Sequence, residues 1–214
     1  MIVTGQVGAP QASSAPGTQT QPLRQGNMND VIVSELHGRY YEGSYRTARF
    51  GGSMQAVLAT ATIAGVSTSI TGTSVLYNPI GSGVNLSLEK FGVGFVLAPA
   101  APLVFGIATG WSTTAISGTL TSLSPKSKRI GSSTQPVGQL YASATITLPV
   151  APTVDTILGA LDTGAITTTA AMSGLYDLEG SIVIPPGGYA LFYTSAVLLA
   201  SAHIASWQWE EIPL

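Results

Sequence analysis

The chain has 214 residues, a formal net charge of −2 and only 8% charged residues, against roughly 25% in an average soluble domain. That length accommodates one large β-domain, and so sparse a charge gives a weakly repelling surface that associates readily with other copies or other proteins. The absence of cysteine excludes a disulfide framework, a thiolate metal site and redox chemistry through sulfur.

Residues 1–28 are rich in Gly, Pro, Gln, Ser and Thr and show neither helical nor strand periodicity. They predict an extended N-terminal arm, set apart from a single β-sandwich domain over residues 29–214. Pro10, Pro16 and Pro22 bias the arm toward extended backbone, and its full reach is roughly 90–100 Å. The opening MIVTGQVGAPQ lacks the basic and continuous apolar regions of a secretory signal. From Asp30 to Phe50 aromatic and basic side chains interleave, and half of the chain's eight cations lie between Arg24 and Arg49. Such a mixture suits a protein interface. Partner-contact candidates are therefore Arg24, Arg39, Tyr40, Tyr41, Tyr45, Arg46 and Arg49, joined by the later basic group Lys126, Lys128 and Arg129. Single-stranded nucleic acid would use the same residue types, but the small net charge and the nearby Glu35 and Glu42 disfavour it.

Two strands are expected between Gln55 and Tyr77, after which Asn78 to Gly83 forms a tight connection. Val84 to Leu97 then reads as the central strand. Val84, Leu86 and Leu88 share one face, but after Glu89-Lys90 the apolar set moves to Phe91, Val93, Phe95 and Leu97. A β-bulge at Glu89-Lys90 restores both sets to one side. Phe91 to Ser124 contains no charge and is long enough to cross a membrane, yet Pro99, Pro102 and several glycines argue against an unbroken helix.

Short strands follow within Leu103–Ala108 and Thr114–Leu123, and Pro125 to Pro136 reads as an exposed loop. In LYASATITL, Leu140, Ala142, Ala144, Ile146 and Leu148 alternate with Tyr141, Ser143, Thr145 and Thr147. This predicts a strand with one buried and one wet or interfacial face. Val154, Ile157, Leu158 and Leu161 follow the i, i+3, i+4, i+7 template behind Pro152-Thr153 and predict one short helix. Strands resume at Gly180–Ile184, Tyr189–Thr194 and Ala202–Ile212, with Ala205, Trp207 and Trp209 on one face of the last. The whole is an all-β pattern of about eight to eleven strands: an antiparallel, jelly-roll-like β-sandwich with at most one short helix.

LYNPIGSGVNLSLEKFGVGF, IVIPPGGYALFYTSA and IASWQWEEIPL resemble segments of structural proteins in tailed-bacteriophage virions, where an Asn-Pro, Gly-Ser-Gly strand entry and a Pro-Gly-Gly turn recur. The resemblance spans about Glu35 to Leu214. It implies a non-enzymatic virion component assembled in the bacterial host cytoplasm: a jelly-roll decoration or cement subunit of the head, or alternatively a tail-associated or receptor- or glycan-binding β-domain. The implied partners are further copies, as a trimer by analogy with head-surface proteins, and the major capsid protein or other virion proteins, with no membrane. No catalytic residue and no cofactor come with it.

The residues themselves point the same way. The two histidines, His37 and His203, stand near no nucleophile motif, and the acids around His37 have no metal-ligand spacing. No catalytic, cofactor-binding or metal residue is nominated. Glu210-Glu211 and Asp177/Glu179 are carboxylate pairs that read as solvated acids at strand ends. Charge is segregated along the chain: residues 1–89 sum to zero, 90–154 to +4 and 155–214 to −6. These blocks pair either within the fold or between neighbouring copies.

Overall fold

Period-two runs separated by Gly, Pro and Asn give strands throughout the computed structural model, which describes residues 5–6, 23–24, 48–53, 57–58, 68–70, 73–95, 101–162, 173–195 and 202–214. In chain order these are β1 (Gly5–Gln6), β2 (Leu23–Arg24), β3 (Ala48–Ser53), β4 (Val57–Leu58), β5 (Ser69–Ile70), β6 (Ser74–Tyr77), β7 (Val84–Phe95) and β8 (Leu103–Trp111). They continue with β9 (Ser117–Leu123), β10 (Lys126–Ser127), β11 (Gln139–Thr147), β12 (Thr153–Leu161), β13 (Ser173–Asp177), β14 (Val183–Ile184), β15 (Gly188–Thr194) and β16 (Ala202–Pro213). Among the described residues there is no helix, and none that could cross a membrane. Most of the proposed arm lies outside the described residues, but its two strands β1 and β2 pair with each other in parallel.

The protein is an antiparallel β-sandwich. One sheet runs β10-β3-β16-β7-β13, with β14 also on β7 and β4 also on β16; the other runs β12-β8-β15-β6-β11-β5, with β9 on the free side of β11. Between them lies a core built from Leu86, Leu88, Phe91, Val93, Phe95, Trp207 and Trp209 of the first sheet and Leu76, Phe105, Ile107, Leu140 and Phe192 of the second. Phe91 meets Trp207 edge-on at 4.6 Å, and Phe95 meets Phe105 at 5.5 Å. Trp207 Nε1 donates to Ser74 Oγ at 2.9 Å, which ties the sheets together through the core and satisfies a buried donor. The terminal strand β16 sits inside its sheet, between β3 and β7.

The expected bulge in β7 is present. Gln208 pairs with Lys90 and Trp209 with Leu88, so Glu89 is the extra residue, and Leu86, Leu88, Phe91, Val93 and Phe95 all reach the same core. The turn between β13 and β14 closes over it: Leu178 N and Glu179 N donate to the Glu89 carbonyl, and Gly180 N donates to that of Leu88.

Two expectations change. The helix over Val154 to Leu161 is a strand, β12, on the edge of the second sheet. Its register against β8 slips twice, between Val154 and Thr156 and between Ile157 and Gly159, and two bulges in a strand produce mixed three- and four-residue apolar spacings like those of a helix. Ile157, required to be inside by the helical reading, is 55% exposed. Gly106 of β8 allows this course, because a Cβ there would run into the Thr156 carbonyl oxygen.

The second change is in β11. Its pairing with β9 slips between Ser143 and Thr145, leaving Ala144 as the extra residue. An added residue reverses the facing of everything after it. Leu140 therefore packs in the sandwich core, whereas Ile146 and Leu148 pack in a second core with Ile70, Val75, Tyr77, Ala108, Tyr189 and Leu191, on the opposite face of the second sheet. That sheet is thus covered on both faces. This is why β15 is buried at nearly every position and shows no alternation.

Candidate functional site

The interface candidates divide by position. Arg39, Tyr40, Tyr41, Tyr45 and Arg46 lie outside the described residues, as does His37. Arg24 lies in β2 and Arg49 in β3. The expected loop from Pro125 to Pro136 contributes the short strand β10, which pairs Lys126 with Gly51 and Ser127 with Phe50. Two basic stretches far apart in sequence are therefore neighbours at one edge of the first sheet, with Lys126, Lys128 and Arg129 exposed. Across β3 from them, register places Arg49 opposite Glu210 of β16.

The carboxylates need a correction. Asp177 and Glu179 are exposed, as expected, but Glu210 and Glu211 are buried. Trp209 and Glu211 share the inner side of β16, and the Glu211 carboxylate accepts from Val137 N, from Gly138 N at 2.7 Å and from Trp209 Nε1 at 3.3 Å. It is a buried anchor for the chain entering β11, because its oxygens satisfy backbone donors that no strand partner reaches. Lys90 of the basic block and Asp177 of the acidic block form an ion pair at 3.7 Å, so at least part of the charge segregation is matched within the fold.

His203 is fully buried against the Phe192 ring, at 5.0 Å between centroids. Among the described residues neither of its ring nitrogens has a hydrogen-bond partner. Burial lowers its pKa from 6.5 to about 4, so the ring is neutral at neutral pH.

The two turn motifs meet at one end of the sandwich. Asn78 N donates to Gly188 O and Gly187 N to Asn78 O, while Asn78 Nδ2 donates to the carbonyls of Val84 (2.8 Å) and Ile184 (2.9 Å). Gly187, with φ of 84°, lies so close to the Ser112 carbonyl that a side chain has no room. The clasp presents Trp111: its Nε1 donates to Pro186 O at 2.8 Å while the ring remains 54% exposed. Beside it a cleft of about 470 Å³ opens between β8 and β12 on one side and residues 181–185 on the other. Asp155, the extra residue of the first β12 bulge, lines this cleft with Thr109, Thr153 and Ser181. The buried Tyr189 stands at its base, its hydroxyl bonded to Val150 O and its pKa raised to about 12 by burial. Trp111 and Asp155 carry no signal in the sequence: an isolated Trp after a Gly says little, and the bulge that turns Asp155 into the cleft is visible only in the pairing.

A second concavity, about 450 Å³, lies on the outer face of the first sheet. Gly92 and Gly94 floor it, and Ser206 Oγ lies 2.5 Å from where a Gly92 Cβ would stand. Leu175 (65% exposed) and Ile204 (38%) wall it. The lining is uncharged, with Lys90 and Asp177 on the adjoining strand positions.

Fold and surface together define an all-β sandwich with an uncharged outer groove at one face and a tryptophan cleft at one end. No protein-family model, no curated protein and no solved structure matches the chain.

Proposed function

We propose that the protein is a non-enzymatic structural subunit of a bacteriophage virion, a decoration or cement subunit that stabilises the head through contacts between copies and with the major capsid protein. The observation that carries this reading is the outer groove of the first sheet. Leu175 and Ile204 stand exposed over a glycine floor, with an ion pair beside them, which is the arrangement of an interface with an apolar centre and a polar rim. Burying those side chains against a neighbouring copy removes apolar surface from water at little charge desolvation. The low overall charge favours association in the same sense. The resemblance of the Asn78–Gly83 and Pro185–Gly188 segments to virion proteins adds the setting, and their mutual clasp gives both motifs one structural purpose.

The test is electron microscopy of particles from a host producing the chain, compared with particles lacking it. The reading requires added density on the head surface in symmetry-related positions. Density confined to the tail, or particles unchanged by the chain's absence, contradicts it.

A further inference from the structure

The cleft beside Trp111 has a chemistry that assembly through the outer groove does not use. Its only strongly exposed aromatic side chain among the described lining residues is Trp111. The indole N–H is already committed to the Pro186 carbonyl, which fixes the ring and leaves its π face as the available surface. That face is electron-rich and attracts polarised C–H groups. Around it stand the hydroxyls of Thr109, Thr153 and Ser181, each able to donate and accept, and the Asp155 carboxylate, which accepts. Asp155 is oriented by the Thr156 hydroxyl at 2.8 Å. A cleft of about 470 Å³ lies within the usual range for small-ligand sites, roughly 300–1,000 Å³.

We infer that this cleft binds a neutral saccharide, one sugar ring stacking its C–H face on Trp111 while its hydroxyls bond to Asp155 and the surrounding hydroxyl groups. The lining decides between ligand classes. An anionic ligand meets the Asp155 carboxylate and no cation in the lining. A quaternary ammonium is held best by several aromatic faces in a cage, but Tyr189 is fully buried, which leaves one face, that of Trp111, among the described lining residues. A polyol matches groups that both donate and accept. The inference goes beyond the assembly reading and stands whether or not the protein sits on a virion.

Saturation-transfer NMR on the full chain tests it, with a panel of neutral oligosaccharides built from glucose, galactose, mannose and N-acetylglucosamine, and choline as the cationic control. At least one saccharide should take up saturation at its ring C–H protons. Trp111→Ala should abolish the response, Trp111→Phe should keep part of it because a stacking face remains, and Asp155→Asn should weaken binding about tenfold, the effect of losing one charge-assisted hydrogen bond. No response from any saccharide, a response that survives Trp111→Ala, or a response from choline alone overturns the inference.

Discussion

In β7 the extra residue, Glu89, falls where the apolar set changes phase, so Leu88 and Phe91 end on the same side and the whole strand serves one core. In β11 the extra residue, Ala144, falls within an unbroken alternation, so Leu140 and Ile146 end on opposite sides and the strand serves two cores. The same insertion has opposite results because facing depends on the sum of pattern and bulge. A broken pattern with a bulge keeps one face; a perfect pattern with a bulge changes face. The strand with the cleaner sequence is therefore the one that crosses from the sandwich interior to the second core.

The comparison makes the sandwich core the larger store of stability, and removing its centre should show the largest effect. Trp207→Ala deletes a fully buried ring packed on Phe91 and strands the Ser74 hydroxyl that accepts from it. The expected loss is about 3–5 kcal/mol in urea unfolding at neutral pH. A loss below that of a conservative change in the second core would reverse the ranking.

The next effect is a pH dependence placed in the same core. His203 titrates at 6.5 when unfolded and about 4 when folded, so between those values the unfolded state binds more protons. Stability is full above pH 6.5 and falls as the pH is lowered toward 4, by about 3 kcal/mol from this group. Unfolding free energies at pH 7 and pH 4.5 should differ accordingly, and His203→Phe should remove most of the difference. An unchanged pH slope in that variant would show that His203 is not the responsible group.

A smaller loss probes the second core. Ile146→Val removes one methylene from a fully buried position and should lower stability by about 0.5–1.5 kcal/mol. An effect of zero would mean that Ile146 is not held in a packed core, against its place beside Ile70, Val75 and Leu191.

What could be read from the chain follows from the same physics. The central strand, its bulge, and the inward set Ala205, Trp207 and Trp209 were legible because local alternation and core facing agree there. The β12 strand was misread because its two bulges create helical spacing, and the Ala144 bulge left no mark in composition at all. Of the surface candidates, the adjacency of Lys126 to the strand carrying Arg49 depends on a pairing across more than seventy residues. Glu211 reads as a solvated strand-end acid, the usual state of such carboxylates, because its partners, Val137 and Gly138, come from a distant connection. Trp111 and Asp155 acquire meaning only when the sandwich edges bring them to one cleft.

The functional account turns on the outer groove of the first sheet, whose side chains stand apart from both cores. Leu175→Glu places charge on a well-exposed position, so its unfolding free energy should stay within about 0.5 kcal/mol of the original, whereas Ile204→Glu, at a position only 38% exposed, should cost about 1 kcal/mol and still fold. Association should fail, because each variant buries an unpaired charge in the contact. Sedimentation equilibrium at micromolar concentration tests this most directly: the unaltered protein should sediment as a homo-oligomer and both variants as monomers of 21.9 kDa. A monomeric unaltered protein, or variants that assemble as it does, contradicts the account.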